Sequence, residues 1–327
     1  WRSLRRAAVP EIAAVLFTSG SESRPKAVPL THTNILTNLT AAMAPLGLRR
    51  DDCVLGMLPP FHSFGLLMNF VMPACASLRV AYHTNPTEGD MLARLIAAYR
   101  ATMMVGTPTF IANILRRANS EQARTVRLLI TGAEKCPEAA FALFREKCPA
   151  AAFLEGYGIT ECSPVVAMNH PGAAKAGSIG KGGMLGVDLK VIDDHGHDVE
   201  AGGEGEIWMR TDSVMEVYMS NPRDTAEAFI DGWYRTGDIG RVDEDGYVYV
   251  IDRKKDIIIT GGENVYSNEV EEAIRGIERV RDVAVVGRSH PEWGETVVAV
   301  VVTSDGQHLG VDELRSHLSE KLAKYKI

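Results

Sequence analysis

The residues best suited to chemistry fall in four separated stretches, and the first is Thr18-Ser-Gly-Ser-Glu-Ser-Arg-Pro-Lys26. Hydroxyls at Thr18, Ser19 and Ser21, the bare backbone of Gly20 and the Lys26 ammonium offer hydrogen bonds and charge to a phosphate without steric obstruction. An ordinary polar turn has the same composition. Pro25 stands where the G-x-x-x-x-G-K-[ST] pattern needs Gly, which disfavours a P-loop kinase or ATPase. In Gly156-Tyr-Gly-Ile-Thr-Glu161, Thr160 supplies a hydroxyl for phosphate and Glu161 a carboxylate for Mg2+, the hard-oxygen chemistry that a nucleotide's metal requires. Glu161 replaces the third Gly of a dinucleotide fingerprint and no acidic ribose partner follows at the expected distance, so a Rossmann site is rejected. Trp233-Tyr-Arg-Thr-Gly-Asp238 and Asp252-Arg-Lys-Lys-Asp256 place carboxylates and cations at the ends of short β-like runs, where a ligand reaches them. The last of these also reads as a domain joint.

These groups meet only if the elements between them bring them together. The apolar run Glu11-Ile-Ala-Ala-Val-Leu-Phe17 reads as a buried strand entering the hydroxyl loop. Residues 31–46 read as a helix capped by Thr31 or Thr33, with Leu36, Leu39, Ala42 and Met43 on one face. Residues 51–60 follow as a strand and turn. His62 sits at the turn Pro59-Pro-Phe-His-Ser-Phe-Gly65, before an apolar, Met-containing segment that suits either a pocket for an apolar chain or plain core packing. Short apolar strands at 78–82, 101–105, 126–131 and 151–154, alternating with helical stretches such as 91–99 and 137–148, imply a parallel sheet covered on both faces. Ligands of such sheets gather beyond the carboxyl ends of the strands. Three loops fall there: the one at Thr18, Thr131-Gly-Ala-Glu134, and the one from Gly156 to Glu161.

From residue 177 to 251 the pattern changes to short strands and Gly/Asp turns, the mark of an antiparallel, barrel-like subdomain. Beyond the joint, a helix at 267–274 capped by Ser267 or Asn268, strands at 280–287 and 296–303, and a helix at 312–322 make a small α+β lid. No internal repeat or low-complexity segment is visible.

With 327 residues, 46% of them apolar and 24% charged, the chain is globular and long enough for about two domains. A net charge of -7 argues against a nucleic-acid partner, whose footprint is a basic excess. Five cysteines without C-x-x-C spacing suit neither a disulfide framework nor a zinc site, and point to a reducing compartment. The longest apolar run, 64–76, is interrupted by Asn69 and Pro73 and falls short of the roughly 20 residues of a spanning helix. The start, Trp1-Arg-Ser-Leu-Arg-Arg6, lacks the apolar region of a secretory signal and reads as a cut linker.

Taken together and in order, Thr18-Ser-Gly-Ser-x-x-x-Pro-Lys26, Tyr157-Gly-x-Thr-Glu161, Gly232-Trp-Tyr-x-Thr-Gly-Asp238 and Asp252-Arg-x-x-Asp-x-Ile-x-x-x-Gly-Gly-Glu-Asn264 resemble the adenylate-forming superfamily. Its members include acyl-CoA synthetases, luciferases and peptide-synthetase adenylation domains. Within it, Ser21-Glu22, the Pro59 to Gly65 turn, Leu128-Leu-Ile-Thr-Gly-Ala-Glu-Lys135 and Glu155-Gly-Tyr-Gly-Ile-Thr-Glu-Cys-Ser-Pro164 are most similar to the acyl-acyl carrier protein synthetase part of bifunctional 2-acylglycerophosphoethanolamine acyltransferases.

The resemblance implies an α/β fold with a large adenylation domain at 1–252, its barrel-like subdomain at about 177–252, and a small mobile domain at 253–327. It further implies ATP-dependent, Mg2+-dependent activation of a fatty acid to an acyl-adenylate. Transfer to the phosphopantetheine thiol of acyl carrier protein would follow, feeding lysophospholipid reacylation. A fatty acyl-CoA ligase is the alternative, and a nucleotide-binding module without turnover is the alternative of another class.

By the same resemblance Thr18, Ser19, Gly20, Ser21 and Lys26 hold the β- and γ-phosphates. Thr160 holds the α-phosphate and Glu161 the Mg2+, while Gly132, Ala133, Glu134, Gly156 and Tyr157 frame the adenine. Asp238 takes the ribose hydroxyls, with Arg253 beside it. Lys255 is the hinge, Gly261, Gly262 and Glu263 line the thiol's approach, and His62 gates the passage between acyl pocket and thiol. The sequence departs from the pattern at Ser23, Ala27 and Val217, where relatives carry Gly. The family's adenylation lysine is expected beyond Ile327 and the start of the large domain before Trp1, so both ends read as incomplete. The expected location is cytoplasmic, with peripheral attachment at the inner membrane face through an upstream domain as the alternative.

Overall fold

The structure, a computed structural model, describes residues 11–18 and 25–327. Ile12–Thr18 (β1) and Lys26–Thr31 (β2) pair antiparallel, and their last register places Thr18 opposite Lys26. Both ends of the hydroxyl loop are thereby fixed side by side. The next helix, His32–Met43, starts at Thr31 in a reciprocal capping box: Thr31 Oγ1 accepts the Asn34 amide at 3.1 Å and Asn34 Oδ1 accepts the Thr31 amide at 2.9 Å. Its buried face differs from the apolar one expected. Leu36 points outward, and Asn34, Ile35, Asn38, Leu39 and Ala42 point in.

The central sheet contains Cys53–Gly56 (β3), Arg79–Tyr82 (β4), Met103–Gly106 (β5), Leu128–Thr131 (β6), Ala152–Gly158 (β7) and Val165–Met168 (β8), in the order β4-β3-β5-β6-β7-β8. All neighbours run parallel except β8, which returns antiparallel along β7. Period-two alternation splits their apolar residues between two cores. Val54, Met103, Val105, Leu128 and Ile130 face the helix His32–Met43, whereas Leu55, Met104 and Leu129 face Gly89–Tyr99, Pro108–Arg117 and Glu138–Lys147. Between β3 and β4, residues 63–76 form one helical rod with a π-turn at Leu66–Val71. The Tyr82 hydroxyl donates to the Asn69 carbonyl there at 2.6 Å.

Asp188–Ile192 (β9), Glu204–Arg210 (β10), Phe229–Ile230 (β11), Trp233–Val242 (β12) and Val248–Arg253 (β13) form the expected antiparallel subdomain as a five-stranded sheet, with β12 at its hub. Ile257–Thr260 (β14), Glu263–Tyr266 (β15), Val280–His290 (β16) and Gly294–Thr303 (β17) make a separate sheet in the order β15-β14-β17-β16. Helices Ser267–Arg275 and Val311–Ser319 accompany this sheet, and Val265, Val270, Ile274, Val285 and Leu318 give it a core of its own. The cap of Ser267–Arg275 is a surprise. No side chain at its own start closes it; Asp252, at the end of β13, accepts the Asn268 amide at 3.0 Å and the Ser267 hydroxyl at 2.9 Å.

A buried ion pair clamps the amino ends of three parallel strands. Asp52 accepts from Arg127 Nε at 2.8 Å, the Thr102 hydroxyl at 2.7 Å and the Arg49 amide at 2.7 Å. Burial raises the Asp52 carboxyl, but the Arg127, Arg49 and Thr102 donors outweigh it and leave it below the ordinary carboxylate value. A depressed folded value contributes stability that is full above the unfolded value of about 4 and is lost as pH falls through the folded one. Asp52→Ala is expected to cost about 3–5 kcal/mol in a urea melt near pH 7, because it strands the Arg127 charge. That gap should shrink below about pH 4, and an equal gap there would refute the linkage.

Candidate functional site

A cavity of about 790 Å³ opens beyond the carboxyl ends of β6 and β7, where the sheet topology places a ligand. The β1–β2 hairpin brings Thr18 and Lys26 to one wall, and Gly132, Ala133, Gly156 and Tyr157 line another. Thr160 and Glu161 lie on the short turn Thr160–Cys162 that follows β7, and Arg253 and Lys255 close the far side. His62 stands at the mouth, its Nδ1 accepting the Phe64 amide at 3.3 Å. Burial lowers its imidazole below the usual value, favouring the neutral ring.

Five of the expected site residues do not line the cavity; one of them, Asp238, sits behind the lining residues Tyr157 and Arg253. Glu134 turns away and accepts the Thr109 amide at 3.0 Å, at the start of Pro108–Arg117. Gly261 and Gly262 form the two-residue turn of the β14–β15 hairpin, with φ of 59° and 86° and Glu263 just beyond, outside the cavity lining. A Cβ on Gly261 would stand 3.2 Å from the Trp293 ring. Ser19, Gly20 and Ser21 lie outside the described residues.

Lys26 Nζ pairs with Asp224 at 2.6 Å and lies 4.8 Å from the centroid of the Tyr218 ring. The Tyr218 hydroxyl donates to Glu161 Oε1 at 2.7 Å and lies 2.9 Å from the Tyr234 hydroxyl. Burial first, and the Glu161 charge second, push the Tyr218 phenol far above its usual value, so it stays a donor. Thr160 Oγ1 lies 3.3 Å from Ser63 Oγ. Asp238, 3% exposed, is bonded by the Tyr157 hydroxyl and by Arg253 Nε at 3.1 Å. Burial raises its carboxyl, opposed by Arg253.

Among the described residues no group of three or more His, Cys, Asp or Glu side chains is arranged to hold a metal ion. The donor set suits Mg2+ nonetheless, which binds through one or two carboxylates and completes its shell with water and substrate phosphate. Glu161 is 9% exposed, and among the described residues one hydroxyl is its side-chain partner. A buried carboxylate so sparsely paired favours a cation against it.

Sequence reading missed the parts that aim these groups. Asn38 Nδ2 donates to the Cys162 and Val165 carbonyls at 2.8 and 2.7 Å, and Asn34 Nδ2 to the Asp212 and Val214 carbonyls at 2.8 and 3.0 Å. Polar residues at core spacing on an otherwise apolar helix face were the available signal. Asp224, Tyr218 and Tyr234 lie within or beside motif stretches but gave no sign of which partners they would find.

Residues 5–219 match the model of the AMP-binding enzyme family, and residues 269–327 that of the AMP-binding enzyme C-terminal domain. The chain belongs to the AMP-binding enzyme family. It is 36% identical over 321 residues to a feruloyl-CoA synthase of an Amycolatopsis species, a match covering 97% of this chain and 65% of that protein. It is also 36% identical over 327 residues to a long-chain-fatty-acid–CoA ligase of Yersinia pestis, covering 97% and 57%. The solved O-succinylbenzoate coenzyme A synthetase (MenE) of Bacillus subtilis, in complex with ATP and magnesium ion, superposes with a TM-score of 0.86 at 28% identity, covering all of this chain and 69% of that one. The chain therefore spans less than two thirds of the length of either sequence relative. As in other solved members, an α/β large domain precedes a small C-terminal one. No helix among the described residues is long and apolar enough to cross a membrane.

One further carboxylate of this AMP-binding enzyme borders the site. Glu155, beside Gly156 on β7, accepts the Gly177 amide at 2.7 Å, and burial pushes its carboxyl up to about 7 against the lowering effect of that amide and Lys135. A raised folded value means the folded state binds the extra proton between the unfolded value of about 4.3 and about 7, so stability falls as pH rises through that window. Glu155→Gln should abolish this slope in thermal melts, a difference on the order of 3 kcal/mol across the window. Parallel pH profiles for the two proteins would refute it.

Proposed function

We propose that this chain is the nucleotide-handling part of an AMP-forming acid–CoA ligase acting on a hydrophobic carboxylic acid, a fatty acid in the first instance. The observation that carries this reading is one cavity touched at once by Thr18 and Lys26, by Thr160 and Glu161, and by Tyr157, which bonds Asp238. An apolar flank supports the acid's identity: Phe64, Met68, Ile130, Val165 and Met168 line the same cavity. Coenzyme A replaces carrier protein as the acceptor, because the relatives named above are CoA ligases and none of them transfers to carrier protein by name.

In this reading the acid's carboxylate oxygen attacks the α-phosphorus of ATP, the bond to the β-phosphate oxygen breaks, and pyrophosphate leaves. The thiol of coenzyme A then attacks the acyl carbon, giving its proton to solvent and expelling AMP. Phosphoryl transfer of this kind depends mainly on positioning and charge neutralisation. Thr18 and Lys26, with Ser19, Gly20 and Ser21, receive the β- and γ-phosphates; Lys26 exchanges Asp224 for phosphate as it does so. Thr160 donates to the α-phosphate. Mg2+ held by Glu161 would supply charge neutralisation between the phosphates. Gly132, Ala133, Gly156 and Tyr157 flank the adenine, and Asp238 with Arg253 takes the ribose hydroxyls. Glu134 drops from the adenine set, since its carboxylate is committed to Thr109.

The division into a large domain at 1–252 and a small one at 253–327 is part of the proposal. It is supported by the exposed turn Lys254–Asp256, which separates two sheets with separate cores. Rotation about Lys255 would bring the Gly261–Gly262 turn and Glu263 to the cavity for the thiol step, with His62 at the passage.

ATP–pyrophosphate exchange with a panel of acids, using protein from the complete reading frame, tests the first half. Long-chain acids should support exchange, and Glu161→Gln should lower it by about a hundredfold or more. Single-turnover transfer should then acylate coenzyme A. Acylation of carrier protein alone would reverse the choice of acceptor, and exchange unaffected by Glu161→Gln would remove Glu161 from the site.

A further inference from the structure

Tyr218 is the side chain on which the metal side and the phosphate side of the cavity meet. Its hydroxyl donates to Glu161 Oε1 at 2.7 Å while its ring faces the Lys26 ammonium at 4.8 Å. A phenol has one proton to give. Because that proton goes to Glu161 Oε1, the 2.9 Å contact with Tyr234 is a bond donated by Tyr234, which fixes the direction of both hydroxyls. Only Oε1 of Glu161 is so engaged; among the described residues no hydrogen bond reaches Oε2.

The backbone around Tyr218 is held from the same two sides. The Met219 amide donates to the Ala27 carbonyl at 2.9 Å, one residue from Lys26, and the Met215 amide to the Glu161 carbonyl at 2.7 Å. The Tyr218 amide itself donates to Thr225 Oγ1 at 2.9 Å, in the turn of chain that also carries Asp224. Tyr218 is 6% exposed and lines the cavity, so neither its ring nor its hydroxyl has room to leave these partners.

We propose that Tyr218 is a positioning residue that couples divalent-cation recognition at Glu161 to triphosphate recognition at Lys26. Its hydroxyl holds Oε1 so that Oε2 faces the cation, and its ring seats the ammonium by a cation–π contact. The inference rests on the nucleotide reading above and adds a division of labour: the hydroxyl serves the metal, the ring serves the phosphate.

Calorimetric titration of the chain with a non-hydrolysable ATP analogue, across a Mg2+ series that includes EDTA, separates the two roles without requiring turnover. Tyr218→Phe, which keeps the ring, should raise the Mg2+ concentration for half-maximal tight binding by about tenfold to a hundredfold, the usual cost of losing a partner behind a metal ligand. Its metal-free affinity should stay within about twofold of wild type, since the cation–π contact is retained. Tyr218→Leu should weaken the metal-free affinity as well. If Tyr218→Phe fails to fold by thermal melt, Tyr234→Phe gives the same readout, with a smaller shift in the same direction. An unchanged Mg2+ dependence in the folded variant, or equal losses with and without metal, overturns the proposal. Wild-type protein that binds no nucleotide at any Mg2+ concentration overturns the parent reading and this one together, which distinguishes the two failures.

Discussion

Buried carboxylates at one cavity, Glu161 and Glu206 in its lining and Asp238 behind the lining residues Tyr157 and Arg253, set the constraint that the rest of the site answers. Negative charge withdrawn from water must be met by donors or cations, and each of these acids recruits them from a distant part of the chain. Glu161 takes Tyr218, Asp238 takes Tyr157 and Arg253, and Glu206 takes Arg235 at 2.9 Å and Lys254 at 3.4 Å. Satisfying the acids therefore draws the strands β7, β10, β12 and β13 into one arrangement. The residual negative potential is what a Mg2+ ion and a cationic loop would balance.

Placement of those acids depends in turn on the helix His32–Met43. Its two inward asparagines are hydrogen-bonded to carbonyls that follow Glu161 and precede Tyr218 in the chain. A buried amide left unpaired costs free energy comparable to the bond it forgoes, so these contacts tolerate little drift. The parallel sheet supplies rigidity from the opposite end, where Asp52 ties the starts of its strands and leaves their carboxyl ends free for loops.

The small C-terminal unit is attached unevenly. Asp252 is 3% exposed and joins β13 to the helix Ser267–Arg275 through bonds on both oxygens, a stiff connection at the joint itself. Farther out, Lys135 meets Glu272 at 2.8 Å with roughly half of each side chain in solvent, and Tyr266 meets Glu204 at 2.8 Å. Exposed pairs of this kind contribute about 0–1 kcal/mol. In this orientation the unit is held near residue 252 by bonds that a rotation about Lys255 would have to break, and only shallowly at its rim.

Much of this was legible in the residues alone. Alternating short apolar strands and helices require a covered parallel sheet, and the hydroxyl loop, Thr160 and Glu161 offer groups suited to phosphate and metal by their types, whereas a ribose role for Asp238 came only from the family resemblance. Local rules also narrowed the first helix's cap to Thr31 or Thr33, and the capping box at Thr31, which closes within four residues, decided between them. What sequence left open was every relation made across the fold. Leu36 was placed inside where Asn38 belongs, since periodicity ranks positions by hydropathy and cannot see the carbonyls that make a buried amide worthwhile. Ser267 or Asn268 was expected to cap a helix that Asp252 caps from another strand. Glu134 is bonded to a helix start 25 residues earlier, and Lys26 to Asp224, because partners brought together by packing leave no trace in local spacing. The chain's own order settled which chemistries are present; only three-dimensional closure decided which atoms face each other, since pairing depends on distance and sequence encodes distance only locally.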